Sequence, residues 1–208
     1  MYYTNNRLVF VFIIMLLAGC AMGPQKPLST DTVESSPENN TKDKATLRAE
    51  TAVDQFKIAI TEINNNNLGN AKTILLSISK KQPDLAGPWA NLALINMKQE
   101  NYSKAEALIN IALDKNPKMA QALNIAGYLE NRKGNILMAK EYYEKAIEQK
   151  PDYALAHYNL ALLYDVYFQD IKQAVTHYQL YLSQLGHEDK RTLNWVEELK
   201  LNLHDGDV

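Results

Sequence analysis

The chain of 208 residues has one cysteine, Cys20, so neither an internal disulfide nor a multi-thiolate zinc or iron–sulfur site can hold it together. Glycine is scarce, with 8 residues, and none falls in GxGxxG or GxxxxGK(S/T); the backbone cradles that nucleotide-dependent enzymes use for phosphate are missing. Neither sign of charge dominates. The 22 Lys and Arg face 24 Asp and Glu, a formal charge of -2, which gives no electrostatic footprint for wrapping nucleic acid. Catalytic motifs are absent too: His187-Glu188 is followed by Arg191 where HExxH needs histidine, and GxSxG does not occur. His157 falls on a packing column, and His177, His187 and His204 are expected on exposed or loop positions. Acidic pairs such as Glu197-Glu198 or Asp205 and Asp207 suit solvated faces and loops. The expectation is a chain that is not an enzyme and uses no cofactor and no metal. What it does have is apolar material, 46% of residues, enough for one domain with flanking segments.

The first twenty residues form an address. Arg7 precedes the run Leu8 to Ala18 (LVFVFIIMLLA), which carries no charged or polar side chain. As a helix this run rises only about 16 Å against a hydrocarbon core of about 30 Å, too short to span a bilayer alone. It stops at Leu17-Ala18-Gly19-Cys20, which resembles the bacterial lipobox. The resemblance implies cleavage before Cys20, a covalent lipid on that thiol, and attachment to the membrane through the acyl chains. Ala21, where Asp would favour inner-membrane retention, implies sorting to the outer membrane, facing the periplasm. Residues 1–19 are thus the expected signal peptide. Residues 20–44, with Pro24, Pro27 and Pro37 among Ser, Thr, Asn and charges, are the expected lipidated, flexible tether.

Beyond the tether the sequence repeats itself. Pro83, Pro117 and Pro151 are spaced by 34, as are Ala71, Ala105 and Ala139, then Asn67, Asn101 and Asn135, and Ala59, Ala93, Gly127 and Ala161. A 34-residue period with small residues in both halves and a closing proline resembles the tetratricopeptide repeat. The fold implied is all-α, a right-handed solenoid of four helix-turn-helix repeats with a C-terminal capping helix. Residues 45–187 hold the units 52–85, 86–119, 120–153 and 154–187; residues 188–203 form the cap and 204–208 a frayed tail. Small columns let paired helices approach, larger residues such as Trp89, Leu123, Ile109, Tyr143 and Tyr178 fill between them, and the asparagines are placed to cap each second helix. The fourth unit carries one extra residue around Tyr167 to Asp170, shifting its alanine to Ala174, so a lengthened or bulged helix is expected there. The cap is expected to bury Leu193, Val196, Leu199 and Leu203, and the first helix to use Val53, Phe56, Ile60 and Ile63.

In such repeats the first helices line an inner face used for binding. The resemblance assigns to that face Phe56, Lys57, Ile60, Asn91, Leu94, Lys98, Asn124, Tyr128, Arg132, Tyr158, Asn159 and Leu162. Asn91 and Asn159 occupy the place where related domains use amides to hold an extended peptide backbone. Lys98 and Arg132 match only half of a two-carboxylate clamp. The function implied is a membrane-anchored periplasmic scaffold that binds a protein or peptide and recruits it to an envelope assembly. Pilus or secretin biogenesis, a cell-wall hydrolase adaptor and an energy-transducer accessory are the settings in view. An envelope enzyme with an unrecognised site and a self-associating structural module are the alternatives.

Overall fold

The computed structural model describes residues 44–186 and 188–205, with side chains over 51–186 and 188–201. The signal peptide, Cys20, most of the tether, His187, the side chains of Leu203 and His204, and residues 206–208 lie outside the described residues. The described residues form nine α-helices and one π-helical segment, with no strand among them: α1 (Lys44–Asn64), α2 (Leu68–Lys81), α3 (Ala86–Lys98), α4 (Tyr102–Lys115), α5 (Ala120–Lys133), α6 (Ile136–Gln149), α7 (Ala154–Leu163), the π-helix Tyr164–Phe168, α8 (Ile171–Ser183) and α9 (Lys190–Asp205). The described residues divide into two compact units that part between Ile74 and Leu75.

In the first unit Ala59, Ile63 and Ala71 are buried, and the Asn70 amide reaches the Glu62 carboxylate at 3.4 Å between α1 and α2. Val53 is 54% exposed, so α1 buries a narrower stripe than its apolar spacing predicts.

In the second unit the helices pack as the pairs α3 with α4, α5 with α6 and α7 with α8, and α3, α5 and α7 also touch in sequence. Ala93, Ala105, Ala139, Ala161 and Ala174 are fully buried, and beside them lie Leu92, Ile109, Tyr143, Leu160 and Tyr178. Alanine there brings two helices close, and the larger chains fill what remains. The prolines stand two residues beyond α2, α4 and α6, where a residue without an N–H cannot continue a helix.

The turns between paired helices repeat a backbone event. Asn66 and Glu100 at φ 61°, Gly134 at φ 84° and Gln169 at φ 54° are all left-handed. Three are spaced by 34 and the fourth by one more. The expected side-chain caps on the following helices do not form: Asn101 and Asn135 make no side-chain cap hydrogen bond, and the Asn135 amide instead donates to Glu130 at 2.7 Å. The left-handed residue already turns the chain so that the asparagine backbone carbonyl accepts from the first turn, as Asn101 O does from Ala105 N at 3.0 Å. Asp170 does cap α8, accepting from the Gln173 N–H at 3.0 Å.

The extra residue of the fourth unit is absorbed by the π-helix, closed where the Asp170 N–H donates to the Tyr164 carbonyl at 2.9 Å. This widened turn presents Asp165, whose carboxylate accepts from Trp195 Nε1 at 2.7 Å and from the Tyr178 hydroxyl at 3.2 Å. Asp189, at the entry to α9, accepts from the Thr192 hydroxyl and N–H and from the Tyr181 hydroxyl. Two carboxylates therefore tie the last helix to α8 and the π-helix, around buried Val196 and Leu199. Thr192 takes the buried position predicted for Leu193, which is 41% exposed, because the Asp189 bonds rotate the helix entry inward. Asp165→Ala removes the acceptor of both Trp195 and Tyr178. It is expected to speed hydrogen exchange of α9 amides at least tenfold while the α3 to α6 amides keep their protection.

Candidate functional site

Helices α3, α5 and α7 touch in sequence and carry the second-unit residues assigned to the inner face. The structure sorts those residues by what their side chains are free to do. Lys98 and Arg132 are exposed, and Leu94, Tyr128, Tyr158 and Leu162 are half-buried. Asn91, Asn124 and Asn159 are 2%, 7% and 9% exposed, so none stands on an open face. Phe56 and Ile60, half-buried, and Lys57, exposed beside Asp54 at 3.8 Å, belong to the first unit and are described there alone.

The three asparagines are engaged with the protein itself. Asn91 Nδ2 donates to the Gly87 carbonyl at 2.9 Å, and its Oδ1 accepts from Gln121 at 3.3 Å, linking α3 to α5. Asn159 Nδ2 donates to Asn124 Oδ1 at 2.9 Å, linking α7 to α5, and the Asn124 side chain also bonds the Tyr153 hydroxyl. Buried amides need partners, and neighbouring first helices supply them to one another. The expectation that Asn91 and Asn159 stand open to a peptide backbone is therefore corrected: they are ties between repeats.

Around Arg132 the geometry is aromatic. Its guanidinium carbon lies 3.7 Å from the centroid of the Tyr102 ring, and it bonds the Tyr128 hydroxyl. Burial is the main cause that raises the Tyr128 hydroxyl pKa, with the Arg132 hydrogen bond acting against it. Among the described residues no carboxylate pairs with Lys98 or Arg132. At the other end Tyr158 packs against Tyr181 and Tyr178, at centroid distances of 4.9 and 5.8 Å, so it is partly a wall of the α7 to α9 core.

One arrangement escaped the sequence reading. His177 is half-buried and meets His157 with the two Nδ1 atoms 3.0 Å apart. His157 Nε2 lies 2.9 Å from the Pro151 carbonyl, as Trp89 Nε1 lies 3.0 Å from the Pro83 carbonyl two repeats earlier. The indole can only donate, and its counterpart must do the same to that carbonyl, so His157 carries its proton on Nε2 and accepts at Nδ1 from His177. The equivalence of Trp89 and His157, 68 residues apart, is the sequence signal for this bond. Burial, then the neighbouring His157, lowers the His177 pKa from 6.5 to about 4, while Glu144 pulls the other way. The surrounding groups are Lys140, paired with Glu144 at 2.8 Å, Tyr164 stacked on the His177 ring, and Gln184, which also donates to the Pro151 carbonyl.

The folded chain takes up this proton near pH 4, the unfolded chain near 6.5. Stability from the pair is thus complete above pH 6.5 and lost as pH falls towards 4. With the discount for solvent screening of a half-exposed ring, the loss is on the order of 1–2 kcal/mol. Urea midpoints of the wild type between pH 7.5 and 4.5 are expected to fall more steeply than those of His177→Gln.

Among the described residues no group of three His, Cys, Asp or Glu side chains could hold a metal ion, and no helix is long and apolar enough to cross a membrane. Models of the tetratricopeptide repeat match residues 90–137 and 142–188. The uncharacterized protein ycf37 of Cyanophora paradoxa is 34% identical over 119 residues, 53% of this chain and 67% of that protein. Among solved structures, Pseudomonas aeruginosa pilF aligns with a TM-score of 0.65 at 18% identity, covering 76% of this chain and 71% of that one. The first such repeat domain of Spaghetti (RPAP3), bound to an HSP90 peptide, aligns with a TM-score of 0.50 at 17% identity, covering 56% of this chain and 92% of that one. At these identities the solved structures show the fold alone.

Proposed function

This chain belongs to the tetratricopeptide-repeat family, and we propose that it is a lipid-anchored envelope scaffold holding a protein partner on the face of its first helices. The all-α repeat fold is that of a protein-interaction scaffold. The observation that carries the reading is on α3 and α5: Lys98 and Arg132 sit exposed at equivalent places of successive repeats, beside half-buried Leu94 and Tyr128 and without a carboxylate partner among the described residues. Cations that lack a carboxylate and stand beside half-buried apolar side chains suit contact with an acidic partner, whereas Lys133, Lys140 and Lys145 are bound to the protein's own glutamates.

The anchor is read from Leu17 to Cys20, which resembles a lipobox, and the sequence puts the repeats 24 residues after that cysteine. An envelope assembly such as a secretin, a wall-hydrolase complex or an energy transducer is the setting this placement supports. Lys98→Glu with Arg132→Glu is expected to keep the helical circular dichroism and to lower affinity for the partner recovered from envelopes at least tenfold. Lys104→Glu with Lys172→Glu, on second helices, is expected to leave that affinity unchanged. Loss by the second pair with retention by the first would overturn the assignment of the face.

A further inference from the structure

The inner face supplies side-chain chemistry and withholds backbone chemistry. An extended peptide brings unpaired N–H and C=O groups, and its receptor has to match them along its length. The amides best placed to do so here are spent: Asn91 on Gly87 and Gln121, and Asn124 and Asn159 on each other. A peptide backbone could recruit them only by breaking ties between α3, α5 and α7, leaving buried groups unpaired. What remains is Leu94, Tyr128 and Leu162 at one place of successive repeats, with Lys98 and Arg132 beside the first two. Arg132 is stacked on Tyr102 through one face of its guanidinium and bonds the Tyr128 hydroxyl, and its remaining N–H groups can donate to a carboxylate.

A helix closes its backbone hydrogen bonds within itself and asks a receptor only for apolar contact and matched charge. We propose that the segment held on this face is an amphipathic α-helix of a partner protein, with acidic residues flanking its apolar stripe. The inference rests on the scaffold reading above and adds the form and charge of what is held. The sign follows from Lys98 and Arg132, and the helical form from the amides already used between repeats.

The test is selection of random 20-residue displayed peptides on the full chain, run in parallel on the Lys98→Glu, Arg132→Glu variant. Binders enriched on the wild type are expected to be helical when bound, with apolar residues at i, i+3 or i+4, and i+7, and an excess of Asp and Glu. The charge-reversed variant is expected to enrich Lys and Arg instead. Extended or proline-punctuated binders whose affinity still drops with the charge reversal would overturn the helix and leave the scaffold face standing. Binders that are indifferent to Lys98 and Arg132 but lost with Lys104→Glu, Lys172→Glu would overturn both.

Discussion

Gly127→Leu is expected to lower the unfolding free energy by about 3 kcal/mol or more, a large fraction of what a domain of this size holds. A Cβ built at Gly127 falls 2.6 and 2.7 Å from Cε1 and Cδ1 of Tyr143, and 3.1 Å from the Ala139 carbonyl oxygen. The Tyr143 ring is 1% exposed and cannot swing into solvent, and the Ala139 oxygen is backbone. The first carbon of the new side chain therefore forces α5 and α6 apart, and the rest of the leucine adds to it. Gly127→Ala carries the same first clash but gains about 1 kcal/mol of helix propensity, so its net loss is smaller. Combining Gly127→Leu with Tyr143→Leu removes the ring and is expected to recover part of the stability, a non-additivity that urea midpoints would display. A wild-type midpoint for Gly127→Leu would mean that α5 and α6 do not meet at this crossing.

Cys20→Ser is expected to abolish the lipidated form of the chain. Under the proposed lipid anchor read from Leu17 to Cys20, acyl chains worth about 0.8 kcal/mol per buried methylene would supply nearly all of the membrane affinity. The other long apolar run near the N-terminus is Leu8 to Ala18, which under the same assignment leaves with the signal peptide. The variant should accumulate either as released protein or as uncleaved precursor. Detergent-phase partitioning and processing identical to wild type would end the lipoprotein assignment.

The repeat was legible because its determinants are local and periodic. Close helix crossings demand small residues, so Ala93, Gly127 and Ala161, and Ala105, Ala139 and Ala174, mark the crossings in the sequence itself. The displacement of Ala174 by one residue announced a distortion, and the π-helix Tyr164–Phe168 takes it up. The inner-face asparagines were harder to read, because the partners of Asn91 and Asn159 lie 30 and 35 residues away and the amides look equally suited to a ligand. The caps differ for a local reason: with Glu100 and Gly134 left-handed, the next carbonyl turns into the helix and the Asn135 amide is free to reach Glu130. His177 was hidden because its partner sits on another helix of the same repeat. The rotation of α9 towards Thr192 was hidden because Asp189 gathers three donors from two elements.

The central claim is that the first-helix face of α3 and α5 touches a protein partner in the envelope. The most direct measurement is photo-crosslinking in intact cells, with a photoreactive residue placed singly at Leu94, Lys98, Lys104 or Lys172 of the full chain. Adducts of one common mass from positions 94 and 98, with none from 104 and 172, are the predicted result. Adducts from 104 or 172 alone would place the partner on the second helices and contradict the account.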